Sequence, residues 1–423
     1  MKKKEVFLNQ VCQQIRSKEA RHFVSKELSF HLKQSTEELK KQGCNDEEAV
    51  EQAIKQMGSP ARLGKKMNKL HRPKVDWMLI VLFLSCAGLG LVPQLVLNGE
   101  IGGLFSRRLI TVIAGLMVTF VGMFFNYTHL KRYGWLCYGL GSLILLYTLL
   151  FSTRTINGVP YIEFGPFTTN MMITLPFFFF GWAGIMREKK VKLFGVISLF
   201  LFTLLLFLLA VDLVITGIYI VMVMAMLWWS HFERMKIIKC YAGFLVITGL
   251  TVVLGVVTHV INEYQFERLL SFLSPERDPN GMGYMYVTVK NHMQNAGWFG
   301  QPLPEDIYGF LFNNTDFVFV GLTYSLGWLF ACILASVLLL VIYRMFWILK
   351  KVDDHFGKLL IVGGLTVFAV QVIANLGMSL GIVPIISISL PFISYGVMPV
   401  LINSVIFGTI LSVYRRKDLI YAS

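Results

Sequence analysis

From Trp77 onward the sequence is a succession of apolar runs separated by short polar clusters, and a run of about 20 residues in α-helix is long enough to cross the hydrocarbon core of a bilayer. The runs fall near 76–97, 108–127, 134–151, 169–186, 192–210, 212–230, 239–260, 316–346, 357–380 and 390–414, which predicts ten transmembrane helices. One long polar stretch, 261–315, separates the seventh run from the eighth. It gathers the ionisable and turn-forming residues that the runs lack, so any chemistry is expected there. The stretch leads into Asn313-Asn314-Thr315-Asp316-Phe317, which sets a carboxylate at the mouth of an apolar run. An acid in that position is costly without a partner or a task.

Residues 1 to about 72 follow another pattern: charged, helix-favouring and free of long apolar runs. Phe23, Leu28, Leu32 and Leu39 recur at roughly helical spacing in a helix predicted from about Lys18 to Gln42, with Gly43 ending it. Asn45 is placed to cap the next helix, where Asp46, Glu47 and Glu48 meet the positive end of the dipole and Glu48 completes a capping-box-like pair. Gly58 stops that helix, and Ser59-Pro60 starts another with Pro at the first helical position. The expected fold class is therefore all-α: a soluble helical bundle over 1–73 and a ten-span membrane domain over 74–423. The bundle's pattern, an EL..HL helix and then GCNDEEAVEQAIKQMGSPARLGKKM, resembles the permease-prefix domain found ahead of some bacterial membrane proteins. That resemblance leaves two roles open, a structural appendage or a partner-binding regulator.

Composition narrows the class. With 55% hydrophobic and 15% charged residues, the chain is too apolar for an ordinary soluble enzyme. The formal charge of +14 would suit nucleic acid, but Lys and Arg lie in short clusters between spans, which points to a cytoplasmic face beside anionic membrane lipid and to no nucleic-acid partner. Sixteen basic residues fall in the loops on the side of the N-terminal bundle, against six on the other: Arg107, Arg108, Arg154, Arg268, Arg277 and Lys290. This bias predicts both termini in the cytoplasm and the 261–315 loop outside. The six cysteines show neither CxxC nor metal spacing and read as reduced, packed thiols. The first apolar run is expected to act as an uncleaved anchor.

Candidate chemistry gathers on the predicted outer face. Asp212 stands between the fifth and sixth runs, at the interface or in a site. Arg268, Arg277 and Lys290 face outward against the charge rule, either as solvated loop charges or as ligands of a phosphate or pyrophosphate through charge-assisted hydrogen bonds. The turn-rich loop Asn157 to Pro166 carries one acid, Glu163, and is a connection or part of a site. Gln371 and Asn375, four residues apart, share one face of the ninth span, where buried amides turn toward other helices or a cavity. The tenth run opens Ser389-Leu390-Pro391-Phe392-Ile393-Ser394-Tyr395-Gly396, the signature of a broken helix lining a cavity.

Taken in order, RDPNGMGY, NAGWFGQ, NNTDFVFV, QVIANLGMSLGIVP and SLPFISYG resemble the SEDS family, the shape, elongation, division and sporulation proteins of RodA and FtsW type, over roughly residues 76–417. The resemblance implies a peptidoglycan glycosyltransferase of the bacterial plasma membrane. Such enzymes polymerise the lipid-linked precursor lipid II into glycan strands on the outer face, beside a class B penicillin-binding protein that cross-links the product. The family's essential acid, in a His-Thr-Asp-Phe motif, maps onto Asp316. By that resemblance Asp316 takes the proton of the acceptor sugar's 4-hydroxyl as it attacks the anomeric carbon, worth roughly 10² to 10⁴ in rate. Arg268, Arg277, Lys290 or a divalent cation such as Mg or Mn would steady the departing pyrophosphate, and displacement from the opposite side would invert the anomeric centre. Asp212 matches the acid of the family's Pro-Asp-Leu-Gly motif, and Gln371, Asn375, Ser394 and Tyr395 are expected to contact substrate.

The sequence also departs from the family. Asn314 replaces the usual His, Leu303-Pro304-Glu305 lies upstream of its usual register, Tyr324-Ser325 replaces an acidic pair, and Val397-Met398 replaces Gly-Ser. The Gln-Pro-Ser-Glu stretch stands as Thr169-Asn170-Met171-Met172, and an Arg-Trp pair after Asn-Gly is absent. Two other functions accordingly remain open at this point: a degenerate homologue that only scaffolds a cell-wall enzyme, or a transporter of lipid-linked precursor, against which the lack of visible internal repeats counts.

Overall fold

The computed structural model describes residues 2–97, 104–152, 154–156, 159–164, 167–258, 267, 270–302 and 315–419. It is mainly helical and divides into two compact units, Met1–Asp76 with Val352–Asp354 and Val413–Ser423, and Trp77–Lys351 with His355–Ser412.

The first unit contains helices Lys2–Gln13, Lys18–Lys41, Asp46–Met57 and Pro60–Leu70. Their apolar stripes meet in a core of Phe7, Val11, Ile15, Val24, Leu28, Leu32 and Leu39, against which Phe23 is partly buried. The helix ends follow the local chemistry: Gly43 at φ 96° and Gly58 at φ 78° occupy left-handed backbone after their helices. Asn45 accepts the N–H of Asp46 at 2.8 Å, so its cap engages the first helical residue and not Glu48 as a capping box would. The segment after the last long helix, which the sequence pattern assigns to the membrane domain, belongs to this unit. Leu419 joins its core, Asp418 accepts His71 Nδ1 through its carbonyl at 2.9 Å, and Lys74 pairs with the Asp418 carboxylate at 2.8 Å.

Each of the ten apolar runs contains a helix. Six described segments are long and apolar enough to cross a membrane: Trp77–Val96, Phe105–Phe124, Gly134–Phe151, Val318–Lys350, His355–Ser379 and Val397–Leu419. Met171–Arg187, Leu193–Leu209 and Leu213–Trp228 are shorter apolar helices, and Arg234–Val257 is a further helix of 24 residues. The all-α expectation needs one amendment. The loop from Asn157 to Pro166 is part of a small antiparallel sheet, in order β1 (Arg154–Ile156), β2 (Val159–Phe164) and β3 (Phe167–Thr169), with Thr155 opposite Pro160 and Glu163 opposite Thr168. Its two-residue connections are Asn-Gly and Gly-Pro, which join strands as readily as they end them.

Close approach of small residues brings the membrane helices together. A Cβ on Gly134 would sit 2.7 Å from the Cα of Gly184, and one on Gly408 would sit 3.1 Å from the Cα of Gly122. Tyr138, Phe178, Trp182, Phe207 and Tyr219 interlock beside them, and Trp182 Nε1 donates to Tyr219 Oη at 3.1 Å, so the buried indole N–H is satisfied. The helix Val318–Lys350 breaks at Gly327, which has φ 85° and ψ 170°. There the loop 297–301 takes over the freed backbone groups: Gln301 N donates to Tyr324 O at 2.9 Å, Trp328 N to Gly297 O at 3.0 Å and Leu329 N to Trp298 O at 3.2 Å. Only glycine fits at the break, because a Cβ would collide with the Trp298 carbonyl. This junction fixes the short helix arm, Val318 to Leu326, that follows Asp316.

Candidate active site

The site is built around the irregular segment between helices His355–Ser379 and Val397–Arg416. Pro384 and Pro391 keep it from continuing either helix, and Phe392 turns it through left-handed backbone at φ 64°. Such a conformation is costly for a bulky residue and must be held from outside. Arg108 holds it. The guanidinium is completely buried and donates to carbonyls only: Nε to Gly90 at 3.0 Å, Nη1 to Ser394 at 2.9 Å, and Nη2 to Ile393 at 3.1 Å and to Phe392. A fork of five N–H groups matches such a fan of acceptors as no other side chain can. Gly90 lets the turn approach, since a Cβ there would strike the Phe392 carbonyl. The Phe392 ring packs edge-on against Phe83 at 5.1 Å and Phe407 at 5.2 Å. The charge count by loops placed Arg108 among the outer basic residues. The structure corrects this: the helix Leu104–Phe124 begins before it, so Arg108 lies a turn inside and points into protein.

The turn presents Ser389 to Asp316. Asp316 lies in the 3-10 turn Thr315–Phe317, just ahead of the long helix, and its Oδ1 accepts the Ser389 hydroxyl at 3.0 Å. Asn375, fully buried, ties the two segments together: its Nδ2 donates to the Asp316 carbonyl at 2.8 Å and to the Ile388 carbonyl at 2.7 Å. Burial raises the pKa of the Asp316 carboxyl above the ordinary carboxylate value, and the Ser389 hydrogen bond acts against that rise.

Beside this pair lies a cavity of about 430 Å³ whose wall includes Tyr161, Asn170, Asp212, Gln371, Ser389 and Pro399. Asp212 caps the helix Leu213–Trp228, accepting the N–H of Ile215 at 3.1 Å, and is 6% exposed. Burial raises its pKa, countered by the backbone N–H groups of Ile215 and Val214. Val211, immediately before it, has φ 59°, a β-branched residue in left-handed backbone. Strained residues thus stand at both Asp212 and the Ser389 turn, as strain often does at functional sites. Tyr161 of β2 lines the same cavity as Asp212, and its phenol pKa is raised first by burial, then by the charges of Asp212 and Asp316. Asp212 and the Tyr161 phenol therefore share one cavity, and Ser389 in its wall is bonded to Asp316.

Of the residues the sequence singled out, Asp212 and Gln371 line the cavity, while Asp316 and Asn375 stand beside it, bonded to Ser389 and Ile388 of its wall. Ser394 does not face the cavity; its hydroxyl accepts the Leu390 N–H at 2.8 Å and closes the turn. Tyr395 is 37% exposed and outside the cavity wall. Arg277 is exposed at the end of the turn Pro275–Arg277, and Lys290 pairs with Glu276 at 2.8 Å while lining a second cavity of about 510 Å³ with Tyr286, Gln294 and Trp328. Arg268, and Asn313 and Asn314 of the motif before Asp316, lie outside the described residues. No described Lys or Arg lines the cavity of the acids. Sequence reasoning missed Arg108, Tyr161 and Asn403. Arg108 left a signal, as a charge at the start of an apolar run, and Tyr161 stood in a loop whose pairing the sequence did not reveal.

The fold and this cavity define a polytopic helical membrane protein with one carboxyl group in the wall of a cavity and a second beside it. The sequence family described as "Cell cycle protein", of FtsW, RodA and SpoVE type, matches residues 76–419, and the chain belongs to it. The chain is 29% identical over 288 residues to the probable peptidoglycan glycosyltransferase FtsW of Pseudoalteromonas translucida (strain TAC 125), covering 65% of this chain and 70% of that one. It is 29% identical over 175 residues to the peptidoglycan glycosyltransferase MrdB of Escherichia coli (strain K12), covering 39% of this chain and 45% of that one. A solved structure described as "Structural coordination of polymerization and crosslinking by a peptidoglycan synthase complex" superposes with a TM-score of 0.67 at 22% identity, covering 81% of this chain and 98% of that one. The rod shape determining protein RodA of Thermus thermophilus superposes with a TM-score of 0.59 at 19% identity, covering 81% and 97%. At these identities the superpositions establish the fold.

Proposed function

We propose that the protein is a peptidoglycan glycosyltransferase that polymerises lipid II into glycan strands at the outer face of the bacterial plasma membrane. The observation that carries this reading is Asp316: a half-buried carboxyl of raised pKa, fixed by Ser389 and Asn375 beside a cavity large enough for a sugar. Family membership and the names of the relatives support it. In this reading Asp316 is the general base. It accepts the proton of the acceptor 4-hydroxyl as that oxygen attacks the anomeric carbon of the lipid-pyrophosphate-linked strand and the pyrophosphate departs. A raised pKa suits the task, because a stronger base removes a hydroxyl proton more readily. Tyr161 and Gln371 orient the sugar.

The donors of the cavity fit a hard divalent cation, which is commonly held by one or two carboxylates together with substrate phosphate. Asp212 would hold it together with the substrate's pyrophosphate, leaving Asp316 free as the base. When bound, such an ion neutralises the charge that develops on the leaving pyrophosphate.

In this reading ten helices cross the membrane, the six long ones together with Met171–Arg187, Leu193–Leu209, Leu213–Trp228 and Arg234–Val257. The loop bias of basic residues supports both termini in the cytoplasm. Residues 1–73 are a soluble cytoplasmic domain, joined by the chain segment at Leu419, and the spans after residue 74 form the membrane domain. A class B penicillin-binding protein is the partner, in keeping with the coupling of polymerization and crosslinking named for the superposed complex. The deciding experiment measures strand formation from lipid II with a divalent cation by the purified protein, alone and with its co-purifying partner. Polymer from wild type and none from Asp316→Asn is expected. No polymer from either, with folded protein and partner present, would replace this reading with that of a scaffold.

A further inference from the structure

Gln371 is 1% exposed and lines the cavity of the acids, yet its amide is only half engaged. Its Oε1 accepts Asn403 Nδ2 at 3.0 Å, whereas its Nε2 has no partner among the described residues. Buried donors are rarely left unmet, and one that lines a cavity is a place for a ligand's acceptor.

The direction of the amide is not arbitrary. Asn403 is fully buried in the helix Val397–Arg416, and its Nδ2 also donates to the Pro399 carbonyl at 2.9 Å. That carbonyl can only accept, so it fixes the nitrogen of Asn403 on this side. The fixed nitrogen in turn draws the oxygen of Gln371, leaving the NH2 group of this wall residue as the unmet donor. Besides its hydroxyl and ring oxygens, a lipid-linked amino sugar offers two strong acceptors, the carbonyl of its acetamido group and the oxygens of its pyrophosphate. The same wall holds Asp212, and Ser389 in that wall is bonded to Asp316. Where no cation intervenes, carboxylates disfavour an approaching phosphate and leave a neutral carbonyl unaffected.

We propose that Gln371 reads the acetamido carbonyl of the acceptor sugar and that Asn403 is a positioning residue that sets its polarity. This rests on the glycosyltransferase reading, with the acetamido group on Gln371 while Asp316 meets the hydroxyl. The test is equilibrium binding to full-length protein carrying Asp316→Asn, which holds substrate without turnover. The probes are lipid II, lipid II whose non-reducing sugar bears a free amine in place of acetamide, and the polyprenyl pyrophosphate with no sugar. Lipid II should bind at least about tenfold tighter than the free amine, since a site built around a polar group rejects analogues that leave it unpaired. Adding Gln371→Met, of similar size, should erase that preference and leave the pyrophosphate probe unchanged. Adding Asn403→Asp, which accepts only and turns the Gln371 amide round, should shift preference toward the amine.

Acetamide preference that survives Gln371→Met overturns the proposal. So does a loss of affinity for the sugar-free pyrophosphate in that variant, which would assign the donor to phosphate. Should Asn403→Asp fail to fold, Gln371→Met decides alone, with thermal unfolding as its control. Absence of strand synthesis by wild type with acetamide selectivity intact would sink the polymerase reading only. Strand synthesis without that selectivity would sink this subsite only.

Discussion

The hydrogen bond from Ser389 to Asp316 makes a prediction about pH. A general base works ionised, so its activity is lost as pH falls through its pKa, and burial, which raises the Asp316 pKa, moves that acid limb upward. Ser389 opposes burial by donating to the ionised form at 3.0 Å. Ser389→Ala removes the opposition and should move the limb further up. A hydrogen bond to a charged group contributes about 1.5–3 kcal/mol. Asp316 keeps some exposure, so the lower end applies, and about 1.4 kcal/mol is a factor of ten in ionised fraction. On the acid limb Ser389→Ala should therefore run about tenfold slower than wild type at the same pH, and on the plateau above it within about twofold. Ser389→Thr, which keeps the hydroxyl, should stay near wild type. The assay is the initial rate of strand formation from lipid II across a pH series at fixed ionic strength. A loss of equal size at every pH would make Ser389 a packing residue and refute the electrostatic argument. A limb that moves downward would refute the assignment of Asp316 as base.

Arg108→Leu should leave the buried carbonyls of Gly90, Phe392, Ile393 and Ser394 without their donor, at a cost of at least about 3 kcal/mol read as a lowered unfolding temperature in detergent. Arg108→Lys should recover only part, because an ammonium has three donors and no planar fork. Gly327→Ala should cost more than about 1 kcal/mol and reduce strand synthesis, since it sets a Cβ against the Trp298 carbonyl at the break beside the Asp316 arm; an unchanged unfolding temperature would contradict this. Leu419→Ala should speed amide exchange in the helices Lys2–Gln13 and Lys18–Lys41 by opening a void in their shared core, at about 2–5 kcal/mol.

The sequence by itself determined whatever depends on local pattern. Ten apolar runs predicted ten helical segments because a chain among lipids must satisfy its backbone within each segment. The stops at Gly43 and Gly58 and the start at Pro60 were legible because caps are short-range devices. Asp316, Asp212, Gln371 and Asn375 stood out because polar groups in apolar runs demand a reason. Tertiary structure decided what those groups meet. No spacing foretells that Arg108 closes on carbonyls nearly three hundred positions away, that β2 carries Tyr161 into the cavity of Asp212, or that Asn403 orients Gln371. The small sheet escaped notice because its strands are as short as turns. The basic residues assigned to the outer side show the same limit. Charge counting placed Arg108, Arg277 and Lys290 on one side of the membrane, but packing buried the first, left the second exposed and gave the third to Glu276. Charge patterning acts through the whole membrane and selects a side, whereas a contact at 3 Å is selected only by the packed neighbours that exclude every other geometry.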